Sequence, residues 1–140
     1  IDPRILIEEG LEVREIECGI IGNSKLLTSE IGEVNYKSDW YDYDSKYHSN
    51  NNKIIIPAKI DANTTKEIKE IAIKSCRALN IFGFARVDFF LEKSSNRILL
   101  NEINTIPGFT KNSMFPMLWE ASGLKIEQLV ARLVDISLDL

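Results

Sequence analysis

The sequence predicts an α+β fold, an antiparallel sheet with flanking helices, and three observations carry that expectation. Residues 82–109 read as two strands joined by a polar turn at 92–97 rich in Ser and Asn. Residues 13–21 and 25–29 read as a second antiparallel pair, turning at Gly22-Asn23. Residues 63–80 and 126–136 instead repeat their apolar side chains at helical spacing. With 140 residues, 44% apolar and 27% charged, the chain suffices for one ordinary domain with a sizeable core.

The elements follow in order. Residues 5–8 are a short apolar run ending in carboxylates, which predicts a strand. Between Glu8 and Glu15 a bend carries Gly10, where a backbone can approach a ligand closely. Residues 35–52, NYKSDWYDYDSKYHSNNN, show no period and read as a long ordered loop. Trp40, Tyr41, Tyr43 and Tyr47 argue against disorder, because disordered segments are poor in aromatics. A lid would use them as apolar anchors, with Lys46 reaching a phosphate; the lone His48 is assigned no role. Residues 53–60 alternate as a strand that ends near Pro57. Thr64 with Glu67 predicts a capping box, and Ile68, Ile71, Ala72, Ser75 and Leu79 a buried stripe, with Asn80 at the helix end. A turn at Thr105-Ile106-Pro107-Gly108 precedes a helix that begins near Ser113, with Pro116 in its first turn and Gly123 closing it. Ile126, Leu129, Val130, Leu133, Val134 and Ile136 predict a last amphipathic helix that packs on the sheet.

Side chains alternate faces along a strand, so Arg86, Asp88 and Phe90 share one face, as do Leu100, Glu102 and Asn104. Val87, Phe89, Leu91, Leu99 and Ile103 make the opposite face apolar. If the strands pair, Asp88, Glu102 and Asn104 converge as hard oxygen donors beside Arg86. That set suits magnesium carrying a nucleotide phosphate; the bland alternative is a solvated hairpin. Free amides at the helix start near Ser113 suit an anion, against an ordinary N-cap role for that serine. The net charge of -4 argues against nucleic acid as a partner. No apolar run approaches the roughly 18 residues of a membrane helix, and no signal-peptide pattern opens the chain. Cys18 and Cys76 lie far apart without metal spacing, which fits buried roles in a reducing cytosol rather than a disulfide.

GFARVDFFL, then LLNEINTIPGFT, then Ser113 in the following helix resemble the C-terminal part of the D-alanine–D-alanine ligases of the ATP-grasp superfamily. NEINTIPG is the most specific string. The likeness extends over nearly the whole chain, including IEEGLEVRE and YDYDSKY. It implies an ATP-grasp C-terminal subdomain over residues 1–140, with a mobile omega-loop at 35–52. Together with the absence of an initial methionine, it also implies a fragment whose upstream part, holding the first D-alanine, is missing, and which alone does not turn over.

The implied activity is ATP-dependent joining of two D-alanines through an acyl phosphate, for peptidoglycan precursors in the cytoplasm. ATP and two Mg2+ ions serve it, Mn2+ being a substitute, and relatives are commonly homodimers. By resemblance, Glu8 and the Gly10–Leu11 backbone receive adenine and Glu15 the ribose hydroxyls. Gly10 stands where the family often has a bulky aromatic, which weakens adenine stacking. Tyr41, Lys46 and Tyr47 fall on substrate- and phosphate-facing loop positions, and Tyr47 favours D-alanine over D-serine or D-lactate as acceptor. Asp88, Glu102 and Asn104 hold the metals. Arg86 and the Gly108 amide stabilise the oxyanion, and Ser113 with Met114 binds the second substrate's carboxylate. A non-catalytic nucleotide-binding module is the reading from another class.

Overall fold

The structure, a computed structural model, describes residues 4–35 and 53–139. Strand β1 (Val13–Gly22) is its centre: Ile16, Cys18 and Ile20 are buried on one face at a period of two. It pairs antiparallel with β2 (Leu27–Asn35) on one side and β4 (Gly83–Glu92) on the other. Strand β3 (Lys53–Ile55) borders β2 and β5 (Ile98–Asn104) borders β4, giving the order β3-β2-β1-β4-β5. The turn out of β1 requires glycine. Gly22 has φ 127°, and a Cβ there would lie 2.1 Å from the Lys25 carbonyl oxygen.

Helix α1 (Ala62–Ala78) covers the first face of the sheet, where Ile68, Ala72 and Cys76 pack with Ile16, Ile31, Val87 and Phe89. Its cap differs from the expected Thr64–Glu67 box. Asp61 lies earlier in the chain and accepts from the amides of Asn63 and Thr64 at 2.9 and 3.0 Å, which satisfies two orphan donors of a helix that starts at Ala62. Leu79 is the C-cap and is exposed, so Cys76 takes its place in the stripe, while Asn80 turns the chain at φ 51°.

Helices α2 (Met114–Ala121) and α3 (Ile126–Leu138) cover part of the second face. There Phe115, Trp119, Leu129 and Ile136 enclose Ile21, with Phe84 and Phe109 packed against them. The stripe of α3 is narrower than expected: Val130 and Val134 face outward, and Leu129 and Ile136 are the buried pair. Two strand expectations are corrected. Residues 5–8 form no strand, and Ile5, Leu6 and Ile7 are 83%, 83% and 84% exposed, because no described strand lies beside them to take their backbone hydrogen bonds. The strand over 53–60 stops at Ile55, since Pro57 has no amide to continue a ladder. Ala58 still donates its amide to Ile31 O at 2.7 Å, which holds the segment against the sheet. Cys18 and Cys76 are buried and free, as expected.

Candidate active site

Beyond the helices, the second face of the sheet turns polar in steps along β1 and β4. Ile21 opposes Phe84 in the apolar part, and the next row places Gly19 opposite Arg86, with Asn104 beyond it on β5. A Cβ on Gly19 would come within 2.8 Å of Trp119 Nε1, so α2 closes down on that row only because the position is glycine. The following row is Glu17–Asp88–Glu102, one carboxylate on each of three adjacent strands. Glu15 opposes Phe90 one row further on. Register thus places Asp88 and Glu102 in one row and Arg86 and Asn104 in the adjoining one, while among the described residues no three acidic, His or Cys side chains come close enough together to hold a metal.

The register depends on a bulge that alternation alone did not disclose. Asp88 pairs with Glu102 but Phe89 pairs with Leu100, so Asn101 is the extra residue of β5. Ile98 and Ile103 therefore reach the core under α1, whereas Leu99 opposes Phe90 on the second face, against the expectation.

Arg86 grips Asp88 through two parallel hydrogen bonds, Nε to Oδ1 and Nη2 to Oδ2, both 2.7 Å. Glu17 was not among the expected residues, although it sits at the centre of the site. It is 9% exposed, and its Oε2 lies 2.9 Å from Arg86 Nε. The Nε–H points to Asp88, so Oε2 has an ion-pair neighbour but no hydrogen bond among the described residues. Burial pushes the Glu17 carboxyl up to about 7; Asp88, Glu15 and Glu102 add to the rise and Arg86 opposes it. Burial also raises Asp88, with Arg86 pulling it back and Glu102 adding to it. For Arg86, burial works against the charged form, yet Asp88, Glu17 and Glu102 outweigh it and hold the guanidinium charged. Several carboxylates thus share one arginine, a surplus of negative charge made of hard oxygen donors. In the sequence, Glu17 stands between Ile16 and Cys18, both buried toward α1. A charge at that position in a central strand was the available signal.

The remaining expected residues divide. Asn104 Oδ1 accepts the Ile106 amide at 3.0 Å, an Asx turn that starts the loop to α2. In that loop Gly108 and Ser113 are neighbours, with Ser113 Oγ 3.0 Å from where a Gly108 Cβ would be. Ser113 occupies the N-cap of α2 but does not cap it; its Oγ accepts the Thr110 amide at 3.0 Å. Met114 buries its side chain and so would meet a ligand only through its amide. Glu15 lines a groove of about 170 Å³ with Val34, Asn35 and Lys93. Glu8 and Gly10 lie exposed on the segment before β1 and Leu11 is half-buried there, so the chain itself builds no closed adenine pocket around them within the described residues. Tyr41, Lys46 and Tyr47 lie outside the described residues.

A family model described as D-ala D-ala ligase C-terminus matches residues 1–135. The D-alanine–D-alanine ligase of Prochlorococcus marinus strain MIT 9301 is 93% identical over the whole chain, which spans 39% of that protein. The ligase of the same name from strain NATL2A is 52% identical over 97% of the chain. Among solved structures, a D-alanine–D-alanine ligase from Coxiella burnetii aligns at TM-score 0.79 and 37% identity, covering 94% of this chain and 34% of that one. VanG, a D-Ala:D-Ser ligase from Enterococcus faecalis, aligns at TM-score 0.80 and 37% identity, covering 91% of this chain and 37% of that one. The antiparallel sheet and its helices are those of an ATP-grasp C-terminal domain, and with these matches the chain belongs to the D-alanine–D-alanine ligase family, of which it spans the C-terminal region.

Proposed function

We propose that this chain is the nucleotide- and metal-handling part of an ATP-dependent D-alanine–D-alanine ligase that makes peptidoglycan precursors in the cytoplasm. The observation that carries the reading is the row Glu17–Asp88–Glu102 beside Arg86, in a chain 93% identical to a protein of that name. The first step brings two anions together, a carboxylate and a triphosphate. Phosphoryl transfer to the first D-alanine's carboxylate gives an acyl phosphate, and the amine of the second attacks its carbonyl as phosphate leaves.

The donor chemistry of Asp88, Glu102 and Asn104, oxygens only, suits magnesium. Asp88, Glu102 and Asn104 would hold the metal, which when bound neutralises the repulsion between carboxylate and triphosphate. Arg86 stays charged whatever the ambient pH and donates to the oxyanion of the second step. The Gly108 amide joins it, each donor contributing about 2.7–4 kcal/mol. The amides at the start of α2, at Ser113 and Met114, would receive the second substrate's carboxylate, aided by the helix dipole. Glu15 takes the ribose hydroxyls, and Glu8 with the Gly10–Leu11 backbone takes the adenine.

The test uses the full-length ligase that carries this segment. Asp88→Asn and Glu102→Gln are each expected to lower turnover at least 100-fold with the melting temperature nearly unchanged. Near-normal rates in both would sink the metal assignment. The likeness to a D-Ala:D-Ser ligase motivates a competition between D-alanine and D-serine as acceptors, with products read by mass spectrometry. Mainly D-alanyl-D-alanine supports the preference expected of Tyr47. Nucleotide binding without any product would favour a binding module instead.

A further inference from the structure

We infer that Glu17 is a positioning residue: it is the second acceptor for Arg86, holding the guanidinium in the site when Asp88 turns its oxygens to a cation. The inference rests on the reading of Asp88 and Arg86 given above.

Three features of the geometry point to it. Arg86 Nε has two carboxylate oxygens within hydrogen-bond distance, Asp88 Oδ1 at 2.7 Å and Glu17 Oε2 at 2.9 Å, but one proton to give. The proton goes to Asp88, and Glu17 Oε2 is left buried without a hydrogen bond among the described residues. A buried carboxylate oxygen in that condition is costly and uncommon in folded proteins. The strand register then explains why the two acceptors are equivalent in reach. Glu17 and Asp88 are direct partners across β1 and β4, and Arg86 stands one row away with its Nε within 2.9 Å of both carboxylates.

Asp88 in the Arg86-bound state has both oxygens engaged by the guanidinium. A divalent cation held by Asp88 and Glu102 would compete for the same oxygens and weaken Asp88 as an acceptor. Without Glu17, Arg86 would either keep Asp88 from the cation or swing out toward solvent. With Glu17, a small rotation hands the Nε–H from one carboxylate to the other, and Arg86 remains beside the reacting groups. The surplus carboxylate is thus kept for the metal-bound state.

The test compares Glu17→Gln, Asp88→Asn and wild type in the full-length ligase. Mn2+ affinity is measured by electron paramagnetic resonance without substrates, and kcat and KM with Mg-ATP and D-alanine. Glu17→Gln is isosteric, and removing a buried charge should leave the metal-free melting temperature equal or higher. It should nonetheless weaken Mn2+ binding and lower kcat, each by about tenfold to a hundredfold, as loss of a group supporting a metal ligand does. KM for D-alanine should change less than about threefold. In an Arg86→Lys background the same substitution should cost little more, because the residue it acts through is already altered. Unchanged Mn2+ affinity and kcat in Glu17→Gln, with both lost in Asp88→Asn, would overturn the inference and leave the site reading standing. Additive losses in the Arg86→Lys background would also overturn it. Asp88→Asn that binds Mn2+ and turns over normally would bring down the site reading and this inference together.

Discussion

At the scale of single residues, the buried carboxylates of the polar row make the stability of the fold depend on pH. Glu17 is held at about 7 in the folded chain against an ordinary 4.5, raised first by burial and then by Asp88, with Arg86 opposing. A carboxyl raised on folding contributes most below its unfolded value, and that contribution is lost as pH rises through the folded one. Asp88 shifts in the same direction. In chelator, the chain is therefore expected to melt at a higher temperature near pH 5 than near pH 8, and Glu17→Gln should reduce that difference. A pH dependence identical in wild type and variant would show that Glu17 is not the group responsible. Of this row, Asp88 and Glu102 were legible because each stands on a strand whose other face is plainly apolar. Glu17 offered only its charge between apolar neighbours on β1, and linking it to Asp88 requires knowing that β1 lies beside β4, which puts Glu17 opposite a residue 71 positions later.

At the scale of elements, local signals told the kind of element well and its edges poorly. Hairpin, helices and the Asn80 helix end follow from turn chemistry and period. The cap of α1 moved to Asp61 because a carboxylate accepts from two amides at once. The bulge at Asn101 shifted which of Ile98 and Leu99 meets the core. Strand geometry also separates two glycines that look alike in sequence. At Gly22 an added Cβ meets the Lys25 backbone at 2.1 Å in a left-handed conformation, and neither can yield. Gly22→Ala is expected to destabilise by about 1–3 kcal/mol or more. At Gly32 the neighbours at 2.8 and 2.9 Å are side-chain atoms of Leu118 and Met114 and not backbone. Gly32→Ala should cost clearly less. Denaturant unfolding of the two variants measures the difference, and equal costs would mean that α2 cannot adjust on β2.

At the scale of the whole molecule, the sheet divides its labour by face. One face carries the apolar cluster under α1, bordered by the Arg14–Glu33 ion pair, so it stabilises the strands away from the row of Glu17, Asp88 and Glu102. The other is apolar only where α2 and α3 lie, and that partial cover brings Gly108, Ser113 and the start of α2 onto the face that bears Arg86 and Asp88. The segment before β1 is the part that this division leaves unserved. Ile5, Leu6 and Ile7 are each more than 80% exposed, a run of three large apolar side chains with no described partner. The chain spans 39% of the length of its Prochlorococcus relatives. An apolar run of this kind is covered when a neighbouring surface is available, since burial of each such side chain is worth about 1.5–3 kcal/mol. Amide hydrogen exchange of the 140-residue chain and of the full-length ligase distinguishes the two conditions. Residues 5–11 should exchange about tenfold or more slowly in the full-length protein, while β1 and β4 change little, because their hydrogen bonds are complete within the chain. Equal exchange of residues 5–11 in both would mean that the run stays open in the intact enzyme, and the adenine-binding role proposed for Glu8, Gly10 and Leu11 would lose its structural support.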